Sequence, residues 1–315
     1  MYDLIIIGGG PAGVAASIYA ARKRLKTVLI TEEIGGQSVV SEGIENWIGS
    51  PKIHGQELAK LFKAHLDAVK DGFVELATGE RVVKLEKTSN GFAVTKIKAG
   101  QALNGTAMSA AGRSVLVVSG AGRRKLDIPG ADKFENKGVT YCASCDGPLF
   151  ADMDVAVVGG GNAGFETALQ LLAYAKSVTL IHRHAELKAD PITVEKAAAH
   201  QNIRIIKHAE PNEVIGDQFV SGLKYRNMET GAEEILPVTG IFVEVGVMPN
   251  TGFVGQLVEL DNIKRIKVNP RNQRTSVEGI WAAGDCTDEL YHQNNIAAGD
   301  GVKALEDIYI WIKML

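Results

Sequence analysis

The feature that most restricts this chain is an internal duplication. Residues 3–13 read DLIIIGGGPAG and residues 154–164 read DVAVVGGGNAG, a correspondence at an offset of 151 positions. Each copy runs from a short apolar stretch into a glycine loop and then into helical spacing. The helices are expected over 12–22 and 163–174, the second carrying Phe165, Ala168, Leu169 and Leu172 on one face. A second apolar stretch follows in each copy, at 27–30 and 177–181. Strand, helix, strand is a βαβ unit, which implies a parallel sheet with a right-handed crossover. Two such units in 315 residues predict two domains of an α/β fold, each able to bury its own core.

Both loops carry the spacing G-x-G-x-x-G, as Gly8, Gly10 and Gly13 and as Gly159, Gly161 and Gly164. The glycines permit a tight turn, close approach of a pyrophosphate and close helix–strand packing. The helices open at Pro11 and Ala12 in one copy and at Asn162 and Ala163 in the other, and their starts, apart from Pro11, then offer N–H groups and a positive dipole end to phosphate. One match to the pattern is weak; two, each between strand and helix, make two dinucleotide sites. The ends of the second strands separate the ligands. Glu32 and Glu33 correspond to Arg183 and His184. An acid there accepts from an adenosine ribose diol, and a base suits a 2′-phosphate. The first copy is therefore read as the FAD site, and the second as a nicotinamide site that prefers NADPH, with NADH as the alternative.

The remaining stretches fit two domains. The alternation of residues 73–95 around Ser89-Asn90-Gly91 reads as an antiparallel hairpin, and 115–118 as a buried strand. Residues 203–206, 222–225 and 235–236 read as a small meander in the second half. GIFVEVG and GIWAAGD each read as a strand ending in glycine, and 297–314 as a helix with Val302, Leu305, Ile308, Tyr309 and Ile312 on its apolar face. A strand ending at Gly284-Asp285 so late in the chain implies a return to the first domain. The expected FAD domain is thus discontinuous, residues 1–120 and 248–315, with a nicotinamide domain of residues 121–247 inserted in it.

The chemistry is expected at Cys142-Ala143-Ser144-Cys145-Asp146. Cysteines at this spacing close a small disulfide ring, and a helix start stabilises the thiolate. Asp146 is the natural proton carrier for dithiol formation. A zinc half-site would need about four ligands, yet the third cysteine is Cys286 and no histidine stands at a ligand spacing, so no metal is expected. Cys286 is read as a packing residue. A flavin placed between nicotinamide and disulfide accounts for both loops and the cysteine pair together. The net charge of −3 argues against a nucleic-acid binder. No apolar run is long enough for a membrane span, and the N-terminus lacks the pattern of a signal peptide, so a cytoplasmic, reducing location is expected.

Taken together, GGGPAG (8–13), GGQ (35–37), IENW (44–47), SGAGRRKLDIPG (119–130), CASCDGPLF (142–150), GGGNAG (159–164), VGVMPNT (245–251) and GIWAAGDC (279–286) resemble the low-molecular-weight thioredoxin reductases. They also resemble the catalytic core of the flavoprotein component of alkyl hydroperoxide reductase. The resemblance covers essentially the whole chain. It implies two Rossmann-like domains of the three-layer ββα type, class II of the pyridine nucleotide-disulfide oxidoreductases. It further implies a homodimer that passes electrons to thioredoxin or a glutaredoxin-like protein. A ferredoxin-dependent variant and an alkyl hydroperoxide reductase-like enzyme with a separate carrier stand as alternatives.

By the same resemblance, Gly35, Gly36, Gln37 and Asn46 lie along the flavin, with Gly120, Gly284 and Asn294 also at the FAD site, and Asp285 holds the ribityl chain. Gln293 and Ile296 sit at the pyrimidine end. Cys145 faces the flavin, Cys142 attacks the substrate disulfide and Asp146 moves protons. The NADP phosphate motif departs from the family, reading His182, Arg183, His184 and then Lys188 where HRR and a further Arg are usual. The segment His292-Gln293-Asn294 replaces Arg-Gln-Ala.

Overall fold

The computed structural model describes residues 1–41, 43–101 and 106–315. The chain divides into two compact units, Met1–Gly122 with Met248–Leu315, and Arg123–Val247. The first comprises β1 (Tyr2–Ile7), α1 (Pro11–Arg22), β2 (Thr27–Thr31), α2 (Gly55–Val69), β3 (Val74–Thr78), β4 (Glu80–Thr88), β5 (Gly91–Lys98) and β6 (Met108–Val117). The short strand β7 (Ala121–Arg123) leads out of it. The second comprises β8 (Val139–Thr140), α3 (Ala143–Asp146), β9 (Asp154–Val158), α4 (Asn162–Leu171), β10 (Ser177–Ile181), α5 (Pro191–Ala198) and β11 (Ile203–Ile206). It continues with β12 (Ala209–Gly216), β13 (Val220–Asn227), β14 (Glu233–Leu236) and β15 (Gly240–Val243). Strand β16 (Val247–Pro249), which pairs with β7, returns the chain to the first unit, completed by β17 (Ile280–Ala282) and α6 (Asn294–Met314).

In the first unit the sheet order is β3-β2-β1-β6-β5-β4, with β17 also on β6. Strands β3, β2, β1, β6 and β17 run parallel, and β5 and β4 continue the sheet antiparallel. The pleat of β1 divides the core. Leu4 and Ile6 pack under α1 and α6 with Leu305 and Ile308, while Ile5 and Ile7 face Val28, Ile30 and Val94 on the other side. The run Leu4–Ile7, apolar at every position, is what two covered faces require. In the second unit the parallel order is β11-β10-β9-β15-β8, and β12-β13-β14 form a separate antiparallel sheet.

The duplication extends to the hydrogen-bond register. Leu4 lies opposite Thr27 in the first copy, and Val155 opposite Val178 in the second, the same offset of 151 in both strands. Thus both units are Rossmann-like, with the switch in strand order beside β1 and beside β9.

Three sequence expectations are corrected. Residues 74–78 are not part of a hairpin: β3 extends the parallel sheet beside β2, and the hairpin is β4–β5 alone. Strand 203–206 likewise joins β10 in parallel rather than the meander, whose first strand is β12. Short apolar runs look alike whether they pair locally or across a helix, so spacing could not assign them. Helix α4 ends at Leu171, not at residue 174, because Ala173 to Ala175 fold into turns capping its last carbonyls. Among the described residues no helix is long and apolar enough to cross a membrane.

Candidate active site

The two glycine loops are built alike for a physical reason that can be read position by position. A Cβ on Gly8 would lie 2.2 Å from the Val118 carbonyl oxygen, and one on Gly159 2.1 Å from that of Glu244. Both residues have positive φ, 119° and 133°. A Cβ on Gly13 would lie 1.9 Å from the Gly8 oxygen, and one on Gly164 2.0 Å from the Gly159 oxygen. These four glycines let the helix start close against the strand end. Gly10 and Gly161 differ: a Cβ on either would meet nothing within 4 Å. They face open space in front of α1 and α4, and no side chain caps either helix. First-turn N–H groups aimed into an open cradle fit a pyrophosphate.

In the first unit that cradle opens into a cavity of about 690 Å³, within the usual range for ligand sites. Gly8, Gly10, Pro11, Ala12, Glu32, Glu33, Gly36, Gln37, Gly120, Gly284, Asp285 and Asn294 line it. Gly13 acts behind the lining, in packing. Asn46, Gln293 and Ile296 lie outside the lining, with Asn46 Nδ2 donating to Gln293 Oε1 at 3.1 Å. The lining extends from the paired acids at the end of β2 to Asp285 before α6. Burial pushes the Asp285 carboxyl up, opposed by nearby His292. Gln37 Nε2 donates to the Ala121 carbonyl, and Ser38 Oγ to Asn294 Oδ1 at 3.0 Å. A glycine-loop cradle, paired acids at the end of β2 and a mixed polar and apolar lining are what an FAD site requires. Sequence reasoning missed Arg81, which lines the same cavity with its Nε 3.7 Å from Glu32 Oε1. Only the tertiary fold brings β4 beside the end of β2.

In the second unit the second glycine loop and the residues after β10 lie at the carboxyl edge of the parallel sheet. Arg183 Nε donates to His184 Nε2 at 2.9 Å, so that His184 nitrogen is an acceptor. His182 is buried, its ring within 2.6 Å of a Cβ placed on Gly160, and burial pushes its pKa down. Lys188 N–H donates to the Gly160 oxygen at 2.8 Å. Asn162 and Asp190 exchange two hydrogen bonds, 3.2 and 2.7 Å, which pins residues 188–190 beside the loop. Arg183 and His184 thus lie just after β10, and the Lys188 backbone is held to the glycine loop.

The cysteine pair leaves the same sheet edge, directly after β8. Cys142 and Cys145 form a disulfide with Cα atoms 5.4 Å apart. Cys142 is the N-cap of the four-residue helix α3, and its Sγ accepts from Cys145 N–H at 3.2 Å. Asp146 N–H returns to the Cys142 carbonyl at 3.1 Å, so one turn folds the carboxylate back over the strand end. There Thr140 Oγ1 donates to Asp146 Oδ2. Gln170 of α4 donates to Ser144 Oγ at 2.8 Å, tying the motif to the helix that starts at the nucleotide loop. Thr140, Ser144 and Gln170 went unread in the sequence because no spacing rule links them. Glu244, after β15, is also new: its buried carboxylate accepts from Arg123 Nη1 and, at 2.9 Å, from Thr167 Oγ1. Cys286 belongs to the core of the first unit, fully buried, its thiol pushed up to about 11 by burial.

Known proteins share this arrangement. A family model described as pyridine nucleotide-disulphide oxidoreductase matches residues 2–301. The alkyl hydroperoxide reductase of Staphylococcus aureus has a component, its F polypeptide, that is 40% identical over 311 residues, 99% of this chain and 59% of that protein. The chain thus spans about three fifths of the length of such curated relatives. The crystal structure of Lactococcus lactis thioredoxin reductase superposes with a TM-score of 0.91 at 33% identity over 100% of both chains. That of T. acidophilum thioredoxin reductase gives 0.89 at 33% identity over 98% of both. A match over nearly the whole chain, on a fold whose two glycine loops and cysteine pair are all in place, establishes that the chain belongs to the pyridine nucleotide-disulphide oxidoreductases.

Proposed function

We propose that the chain is a protein-disulfide reductase that carries electrons from NAD(P)H to the Cys142–Cys145 pair and on to thioredoxin or a thioredoxin-like protein. The net reaction is NAD(P)H, a proton and a substrate disulfide giving NAD(P)⁺ and two thiols. The observation that carries this reading is the closed Cys142–Cys145 disulfide on the sheet edge that bears the second glycine loop, with Asp146 folded back beside it. Residues 1–120 and 248–315 would bind FAD, through the cradle at Gly10, the acids Glu32 and Glu33, and Asp285. FAD supplies a two-electron relay between nicotinamide and disulfide. Residues 121–247 would bind the nicotinamide nucleotide, with Arg183, His184 and Lys188 favouring NADPH. Cys145 would take electrons from the flavin, Cys142 would attack the substrate disulfide, and Asp146 would carry the proton.

The similarity to the alkyl hydroperoxide reductase component favours a second reading in which the acceptor is a separate glutaredoxin-like carrier serving a peroxidase. Parallel anaerobic titrations with NADPH and NADH, followed by candidate acceptors, separate the two. The expected result is flavin bleaching by NADPH and reduction of added thioredoxin. Cys145→Ser should bleach equally and reduce no thioredoxin. Undiminished thioredoxin turnover by Cys145→Ser would refute the proposed path.

A further inference from the structure

We propose that Arg81 is a cofactor-affinity residue, the side-chain cation that lets the acid-lined cavity of the first unit accept the phosphates of FAD. This deepens the FAD reading above and rests on it. Among the described residues that line the cavity, Glu32, Glu33, Glu80 and Asp285 are acids, and Arg81 is the one base. FAD brings a doubly anionic diphosphate of its own. The glycine loop meets it with N–H groups and a helix dipole, equivalent to about half a positive charge. Glu80 is answered from outside the lining by Lys96 at 2.5 Å, both side chains being mostly buried. Asp285 stands at the far end of the lining, before α6. That leaves the paired acids at the end of β2, and Arg81 stands beside the first of them, its Nε 3.7 Å from Glu32 Oε1.

The backbone puts Arg81 there. Gly79 N–H donates to the Glu32 carbonyl at 3.0 Å, which sets the start of β4 against the end of β2. Residues 80–83 all line the cavity, next to a register shift between Val82 and Lys84. Strict alternation would have turned every second side chain away. Val82 also packs in the core, and Arg81 Nη2 donates to the Gln101 carbonyl at 3.4 Å, so the guanidinium is tied at the rim. Stability does not account for the pair with Glu32, because the two side chains are 45% and 50% exposed, and pairs so exposed add little to folding. What Arg81 changes is the potential inside the cavity. A cleft with apolar walls focuses the field of the charges that line it, and a fixed cation there draws an anionic ligand.

The test varies charge at this one position in the full-chain, FAD-loaded protein, with Arg81→Lys, Arg81→Gln and Arg81→Glu. The FAD dissociation constant is read by serial dilution, with free FAD separated by ultrafiltration and measured by absorbance, at low salt and at about 1 M salt. At low salt Arg81→Lys should stay within about threefold of wild type. Arg81→Gln should weaken FAD about tenfold and Arg81→Glu about a hundredfold, one step for each unit of charge. At 1 M salt, where charges are screened beyond about 3 Å, both losses should shrink to about threefold or less. Loss of packing would give neither the rescue by lysine nor the dependence on salt. Wild-type affinity in Arg81→Gln, a loss in Arg81→Lys as large as in Arg81→Gln, or losses that persist undiminished at high salt would overturn the proposal while leaving the FAD reading in place. A wild-type chain that takes up no FAD would overturn both.

Discussion

The buried ion pair of the second unit makes an asymmetric prediction. Glu244 keeps 5% of its side chain exposed and Arg123 keeps 25%. Removing the cation in Arg123→Met strands a carboxylate among apolar walls with only Thr167 still donating to it. Breaking a buried pair in this way costs about 3–5 kcal/mol, and the remaining hydroxyl and partial solvent access place this one at about 2–3 kcal/mol. Glu244→Gln should cost less, about 1 kcal/mol or under, because the amide oxygen still accepts from Thr167 and Arg123 can turn to water. The two variants should also differ with pH. Burial already raises the Glu244 pKa above its ordinary 4.5, against the Arg123 cation and the Thr167 hydroxyl. Without Arg123 it rises further. The folded protein then binds this proton more tightly than the unfolded chain. That contribution to stability is complete below about 4.5 and is lost as pH rises through the folded-state pKa. The Arg123→Met penalty should therefore be full near neutrality and fade towards pH 4.5.

Tryptophan fluorescence would not report on it, since Trp47, Trp281 and Trp311 all lie in the first unit. Amide hydrogen exchange in β9 and β15, corrected for intrinsic rates, reads the second unit directly. A penalty of equal size at pH 4.5 and 7.5, or a larger penalty in Glu244→Gln than in Arg123→Met, would refute this account of the pair.

Two further outcomes follow from the loops. Gly10→Ala should leave the apoprotein as stable as wild type in thermal unfolding yet weaken FAD binding at least tenfold by titration, because its Cβ enters only the cradle; Gly13→Ala, whose Cβ would meet the Gly8 oxygen at 1.9 Å, should destabilise the apoprotein itself. Arg183→Ala should raise the KM for NADPH by about tenfold or more while changing the KM for NADH less than threefold, as expected where one fork-shaped donor carries phosphate recognition; equal effects on both nucleotides in steady-state assays would count against NADPH preference.

What the sequence determined by itself is whatever the duplication encodes locally. A glycine loop between an apolar strand and a helix leaves few alternatives, since only Gly tolerates φ of 119° at Gly8 or the approach of a carbonyl at Gly13. The cysteine pair is likewise legible because its two residues stand three positions apart, close enough to form the disulfide. The acid-to-base change from Glu32 and Glu33 to Arg183 and His184 needs only the repeat to be seen. Tertiary structure alone decided the partners of those groups. Strands β3 and β11 proved to be parallel sheet members rather than hairpin arms, because pairing across a crossover leaves no local trace. Thr140 reaches Asp146 because a short turn reverses the chain, and Gln170 reaches Ser144 because α4 packs beside it. Arg123 and Glu244 stand far apart in the chain and meet because β7 pairs with β16 and Arg124 N–H donates to the Gly246 carbonyl. Local stereochemistry is written in adjacent residues, whereas the desolvated polar contacts that orient a site depend on which surfaces the fold brings together.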